Sequence, residues 1–139
     1  MREILFKAKT LNSGEWIEGC RLSCDVIIPK GIEFDVDEGY LNGLDGNHAY
    51  IVDPKTVCQY TGLKDKNGRK IFEGDIIKDD WRKCYKVIYN LKSCAFMAYC
   101  SNPPNEYDTG LYRMGEAWCD SIEVIGTIFD NPELLEVEE

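Results

Sequence analysis

The chain has 139 residues, of which 44% are hydrophobic, and it carries a formal charge of −9 with a sequence pI near 4.6. Such a length suits one domain or two small lobes, and the apolar fraction is ordinary for a chain that buries a core. So acidic a protein is not a general phosphate binder, because that activity is built on Lys and Arg that displace counterions.

In EILFKAK, Ile4, Phe6 and Ala8 share one face by period-2 alternation, opposite Glu3, Lys7 and Lys9, which predicts a strand. Asn12-Ser13-Gly14 turns the chain into EWIEGCRL, and the pair reads as a hairpin. DVIIPKGIEF supplies a third short strand; Pro29 cannot donate to a ladder, so it marks an edge or a strand end. The stretch DVDEGYLNGLDGN is rich in Gly, Asp and Asn and reads as a long loop. Tyr50 and Val52 then resume a strand, and Asp53-Pro54 have the N-cap and first-position chemistry of a short helical turn.

Asp65-Lys66-Asn67-Gly68 has turn chemistry, and Ile71-Phe72 restore the apolar pattern before Gly74-Asp75. Asn67, Gly68, Gly74 and Asp75 are therefore architectural: the first pair closes a hairpin, and the second reorients the chain so that Ile76-Ile77 begin a sheet. GDIIKDDW, KCYKVIYN, CAFMAYC and SIEVIGTIF are strand-like, separated by turn-rich gaps such as Ser101-Asn102-Pro103-Pro104-Asn105. A second short helical turn is expected near Asn131-Pro132-Glu133-Leu134-Leu135, and the acidic ELLEVEE reads as frayed or loosely docked. The expected class is mainly β with minor helix. An N-terminal β-rich lobe over residues 1–60 and a C-terminal small barrel lobe over 61–139 can form one compact unit.

YTGLKDKNGRKIFEGDII resembles the hallmark segment of the YopX-like family of bacteriophage and prophage proteins, and EVIGTIFDNPELLE resembles its closing segment. REILFKAKTLNSGEWIEG and the stretch from IPKGIEF to VCQYTG also fit its pattern, so the resemblance covers nearly the whole chain. It implies a β-rich fold with a small SH3-like barrel in the C-terminal half and an accessory role inside the bacterial host. It brings no catalytic residue set. Residues 84–119 show little of a recognisable motif, so a function placed there rests on chemistry alone.

Seven cysteines, Cys20, Cys24, Cys58, Cys84, Cys94, Cys100 and Cys119, are an odd number at irregular spacing. With no apolar leader in MREILFKAKT and no run long enough to span a bilayer, a reduced cytoplasmic protein without a membrane partner is expected. Only Cys20 and Cys24 form a close pair, which leaves a zinc pattern without its second half. Glu33, Asp35, Asp37, Glu38 and Asp45 offer hard oxygens to a divalent cation, but Gly39 falls one position early for an EF-hand loop. A solvated acidic loop is the favoured reading, and no metal or cofactor is expected. His48, the single histidine, lies in that loop with no nucleophile context, so no enzyme is expected either.

Two function classes remain. Protein association leads, because short strands leave sheet edges and because aromatic residues are enriched at interface cores. Phe96, Tyr99, Tyr112 and Trp118 are the candidate interface, with a second copy of the chain and an unknown phage or host protein as the expected partners. Trp16 is expected to fill the core, whereas core and interface readings stand level for the loop from Tyr107 to Trp118. The alternative is nucleic-acid binding in phage replication or regulation through Trp81, Arg82, Lys83 and Lys86, against which the overall acidity counts. Alternation sets Tyr85, Val87 and Tyr89 on one face and Lys86 and Ile88 on the other, so the tyrosines are open to a core role.

Overall fold

The computed structural model describes residues 4–11, 13–23, 26–29, 50–100 and 110–135. Asn12, Cys24, the acidic loop with His48, Tyr107, the gap at 101–105 and residues 136–139 lie outside the described residues. The chain divides into two units, residues 1–60 and 61–139.

In the first unit β1 (Phe6–Lys9), β2 (Trp16–Ser23), β3 (Val26–Pro29), β4 (Tyr50–Ile51) and the start of β5 (Cys58–Lys64) pair antiparallel in the order β4-β3-β2-β1-β5. The β1 alternation holds only for Phe6 and Ala8: Ala8 is fully buried with Val52, and Phe6 and Ile17 pack against them, whereas Ile4 is 67% exposed and Lys7, expected on the outer face, is buried beside the Trp16 ring. Trp16 departs from expectation. Its register partner is Lys9, one step from the Ala8–Ile17 pair, so its ring stands on the opposite face, with the Lys7 and Lys9 ammonium groups 4.8 and 5.5 Å from its centroid. Pro29 ends β3 opposite Gly19. Asp53 caps a 3-10 turn at Pro54–Thr56, its carboxylate accepting from the Lys55 N–H at 3.0 Å.

In the second unit β5 continues and pairs with β6 (Lys70–Phe72). β7 (Asp75–Lys78), β8 (Cys84–Asn90), β9 (Ala95–Tyr99), β10 (Leu111–Arg113), the helix α1 (Glu116–Cys119), β11 (Glu123–Thr127) and a 3-10 turn at Pro132–Leu135 follow. The fold is mainly β, but the five-stranded antiparallel sheet has the order β10-β9-β8-β7-β11 and is not closed. The SH3-like barrel is thus corrected to an open sheet. Closure would require β10 and β11 to hydrogen-bond, yet β10 is three residues long and the chain between them runs through α1, whose Cys119 is buried in the core. Ile77, Tyr85, Val87, Ala98, Ile122 and Val124 form that core with Ile71 from β6. The hairpin at Asn67-Gly68 has β5 as its first arm, whereas strand β10 and helix α1, only three and four residues long, do not stand out in the pattern.

Candidate interaction surface

The segment 60–77 is built around one buried carboxylate. Asp65, 5% exposed, accepts from the Asn67 and Arg69 N–H groups through Oδ1 and from the Val124 N–H through Oδ2, all at 2.9 Å. The Lys66 N–H donates to the Ile122 carbonyl at 3.0 Å, so the β5–β6 hairpin is latched to the start of β11. Gly68 turns the hairpin at φ +80°, a left-handed conformation that favours glycine. Gly74 N–H donates to Val87 O at 2.8 Å, and Asp75, 1% exposed, accepts from the Phe72 N–H at 2.8 Å. Asn67, Gly68, Gly74 and Asp75 therefore sit in the hydrogen bonding that joins β5, β6 and β7.

The β7–β8 turn repeats this geometry with different residues. Asp79 Oδ1 accepts from the Trp81 and Lys83 N–H groups at 2.9 and 2.8 Å, as Asp65 does two and four positions on. Asp79 N–H donates to Lys83 O and Arg82 N–H to Asp79 O, matching the Asp65–Arg69 and Gly68–Asp65 bonds. The left-handed residue again falls three positions after the aspartate, but here it is Arg82, at φ +64°, where the other turn has glycine. A non-glycine residue in that region costs about 1–2 kcal/mol.

Asp79 Oδ2 ties the turn to the core by accepting from the Tyr85 hydroxyl at 2.8 Å. The Tyr85 ring, 6% exposed, meets Tyr112 and Trp118 edge-on at centroid distances of 5.6 and 5.4 Å. Burial first, and then the bond to Asp79, push the Tyr85 hydroxyl well above its ordinary range, so it stays a donor. At the tip of this fixed turn Trp81 is 89% exposed.

The eight surface candidates therefore separate. Trp81, Arg82 and Lys83 lie together on the turn, whereas Lys86 lies in β8 with its ammonium 5.3 Å from the Tyr99 ring. Tyr99 pairs with Lys86, and Tyr112 with Ala98, so Tyr99 and Tyr112 stand on opposite faces of the sheet. Tyr112 and Trp118 pack on the core around Tyr85, and Phe96 meets Tyr89 at 5.2 Å toward the other end of β8. Phe96, Tyr99, Tyr112 and Trp118 do not make one continuous patch. Sequence reasoning placed Asp65 in a turn without assigning its carboxylate a role and passed over Asp79, although an Asp followed by turn residues is the available signal for a carboxylate that bonds its own backbone.

Residues 5–136 match the family described as YopX protein. The chain belongs to the YopX family. The crystal structure of protein EF1440 from Enterococcus faecalis is similar over 98% of this chain and 100% of that one, with 28% sequence identity and a TM-score of 0.56. None of the curated proteins compared with it matches the chain. In this YopX family member no described helix is long and apolar enough to cross a membrane.

Among the described residues Cys58, Cys100 and Cys119 are buried, Cys84 is half-buried and Cys94 exposed, and these five are not joined in disulfides. Burial, with Asp120, Glu116 and Asp65 nearby, pushes the Cys119 thiol up to about 11, which starves it of the reactive thiolate. A maleimide at mildly alkaline pH should label Cys94 first and reach Cys119 only in denaturant, as read by peptide mass mapping. Early labelling of Cys119 would contradict its packing. Thermal melts with chelator and with reductant should overlay the untreated melt, in keeping with the incomplete ligand pattern in the sequence.

Proposed function

We propose that the chain is a non-enzymatic protein-interaction module acting in the bacterial cytoplasm in the service of a phage or prophage, with Trp81 as its anchor. The observation that carries this reading is an indole 89% exposed on a turn whose backbone is fixed by the Asp79 carboxylate. A Trp carried on a fixed backbone has no backbone freedom left to lose on docking, and Trp is enriched among the residues that dominate interface energies. Arg82 adds to the case, since a strained cation occupies the place where the sister turn has an unstrained glycine. The contact is thereby centred on Trp81 rather than on Phe96, Tyr99, Tyr112 and Trp118.

Affinity capture from lysogenic or infected cells, with and without nuclease, tests this with Trp81→Ala and Arg82→Gly beside the unaltered chain. Protein partners should survive nuclease and be depleted roughly tenfold by Trp81→Ala. Arg82→Gly should raise the stability by about 1 kcal/mol while weakening the capture. Capture that Trp81→Ala leaves unchanged refutes the reading. Arg82 and Lys83 beside the indole favour nucleic acid as the second reading, which gains the lead if nuclease empties the capture.

A further inference from the structure

The tip of the β5–β6 hairpin carries a reactive pair of residues. Asn67 and Gly68 are both exposed, and no atom lies within 4 Å of the place where a Gly68 side chain would begin. Without that side chain, the Gly68 backbone nitrogen meets no obstruction of its own in approaching the Asn67 amide carbon. The other described asparagines lack this arrangement. Asn131 precedes Pro132, whose nitrogen has no hydrogen to lose, and Asn90 precedes Leu91 and commits its Oδ1 to the Lys92 and Ser93 N–H groups at 2.9 and 3.2 Å.

The folded hairpin opposes the reaction. Gly68 N–H donates to Asp65 O at 3.0 Å, so the nitrogen that would attack keeps its proton and faces the Asp65 carbonyl. Asn67 N–H donates to Asp65 Oδ1 at 2.9 Å, which holds the peptide on the other side of Asn67. Attack needs the Gly68 nitrogen deprotonated and swung onto the Asn67 side chain, and that motion breaks the turn. The Asp65 carboxylate keeps the turn closed by also accepting from the Arg69 and Val124 N–H groups.

We infer that Asn67 is a self-modification site, an intramolecular deamidation whose rate is set by opening of the Asp65-latched hairpin. The Gly68 nitrogen gives its proton to base and bonds to Asn67 Cγ; the Cγ–Nδ2 bond breaks, and the side-chain nitrogen takes up a proton and leaves as ammonia. The five-membered imide then adds one water and opens at either carbonyl, leaving Asp or isoaspartate at 67. No electrons change hands, and water is the co-reactant. Isoaspartate routes the main chain through the side chain, which inserts a carbon between the Asn67 and Arg69 N–H groups that Asp65 Oδ1 holds together. The latch cannot reclose in register on that product. The hairpin thus keeps a one-way record of its own openings.

The test holds the full chain at mildly alkaline pH, with and without denaturant, and maps the peptide spanning residue 67 by mass over time. The peptide containing Asn42-Gly43, a pair outside the described residues, is followed separately. Conversion at 67 should be at least about tenfold slower in the folded chain than in denaturant, because the open hairpin is a minor state. Asp65→Ala, kept well below its melting temperature, should speed conversion roughly tenfold, and the milder Asp65→Asn should fall between it and the parent. Hydrogen exchange of the Gly68 N–H, read on the same samples, should follow the same order. Protein isolated with isoaspartate at 67 should melt a few degrees below the parent, whereas Asn67→Asp, which keeps the main chain, should melt within about 2 °C of it. No conversion at 67 even in denaturant overturns the inference, and so do equal rates in the folded and denatured chain. Rates that Asp65→Asn and Asp65→Ala both leave unchanged, or isoaspartate protein that melts with the parent, overturn it too.

Discussion

Replacing Asp65 by Ala is expected to destabilise the fold by about 3 kcal/mol, which for a chain of this size lowers the melting temperature by roughly 10 °C. The carboxylate is 5% exposed and serves three backbone donors, those of Asn67, Arg69 and Val124. Asn67 and Arg69 are exposed, so water can replace part of what their N–H groups lose. Val124 is buried, and its orphaned donor meets the larger penalty. Asp65→Asn keeps one acceptor oxygen but turns an amide toward a donor, so about half of the loss should remain. Chemical and thermal denaturation of both variants provide the check. An Asp65→Ala protein melting within about 2 °C of the parent would mean that the latch carries no net stability.

Tyr85→Ala should cost about 4 kcal/mol, in the range for deleting a buried aromatic ring, whereas Tyr85→Phe should cost only about 1 kcal/mol. The ring fills the space between Tyr112 and Trp118 in the core, so Ala leaves a cavity that both neighbours line. Phe keeps those edge-on contacts and removes only the donor to Asp79, whose two backbone donors still hold the turn. The hydroxyl is raised above its ordinary value of 10.0, so what it adds is complete below that pH and declines only as the pH climbs toward the folded-state value. A pH series should therefore show the parent and Tyr85→Phe running parallel through neutrality and converging only at strongly alkaline pH. Convergence already below pH 9, or a Phe variant as unstable as Ala, would contradict the assignment of ring and hydroxyl.

Local chemistry alone determined much of this protein. The β1 face of Phe6 and Ala8, the strand end at Pro29, the cap at Asp53, the turn at Asn67-Gly68 and the short helical turn at Pro132–Leu135 each follow from periodicity or from the backbone preference of one residue. Two long motifs were enough to place it in the YopX family. Strand pairing was another matter, because period-2 alternation gives the faces of a strand but not its neighbours. It could not show that β10 and β11 would remain apart around α1, leaving a sheet where a barrel was expected. Nor could it assign Trp16 to its face before the register with Lys9 was known. Asp65 and Val124 are 59 positions apart, and the bond that joins them exists only once β11 has come back to the hairpin. The candidate site shows the same division. Trp81, Arg82 and Lys83 were visible as residues beside one another, but the exposure of the indole depends on an Asp79 carboxylate held through Tyr85 to a core that several distant strands build.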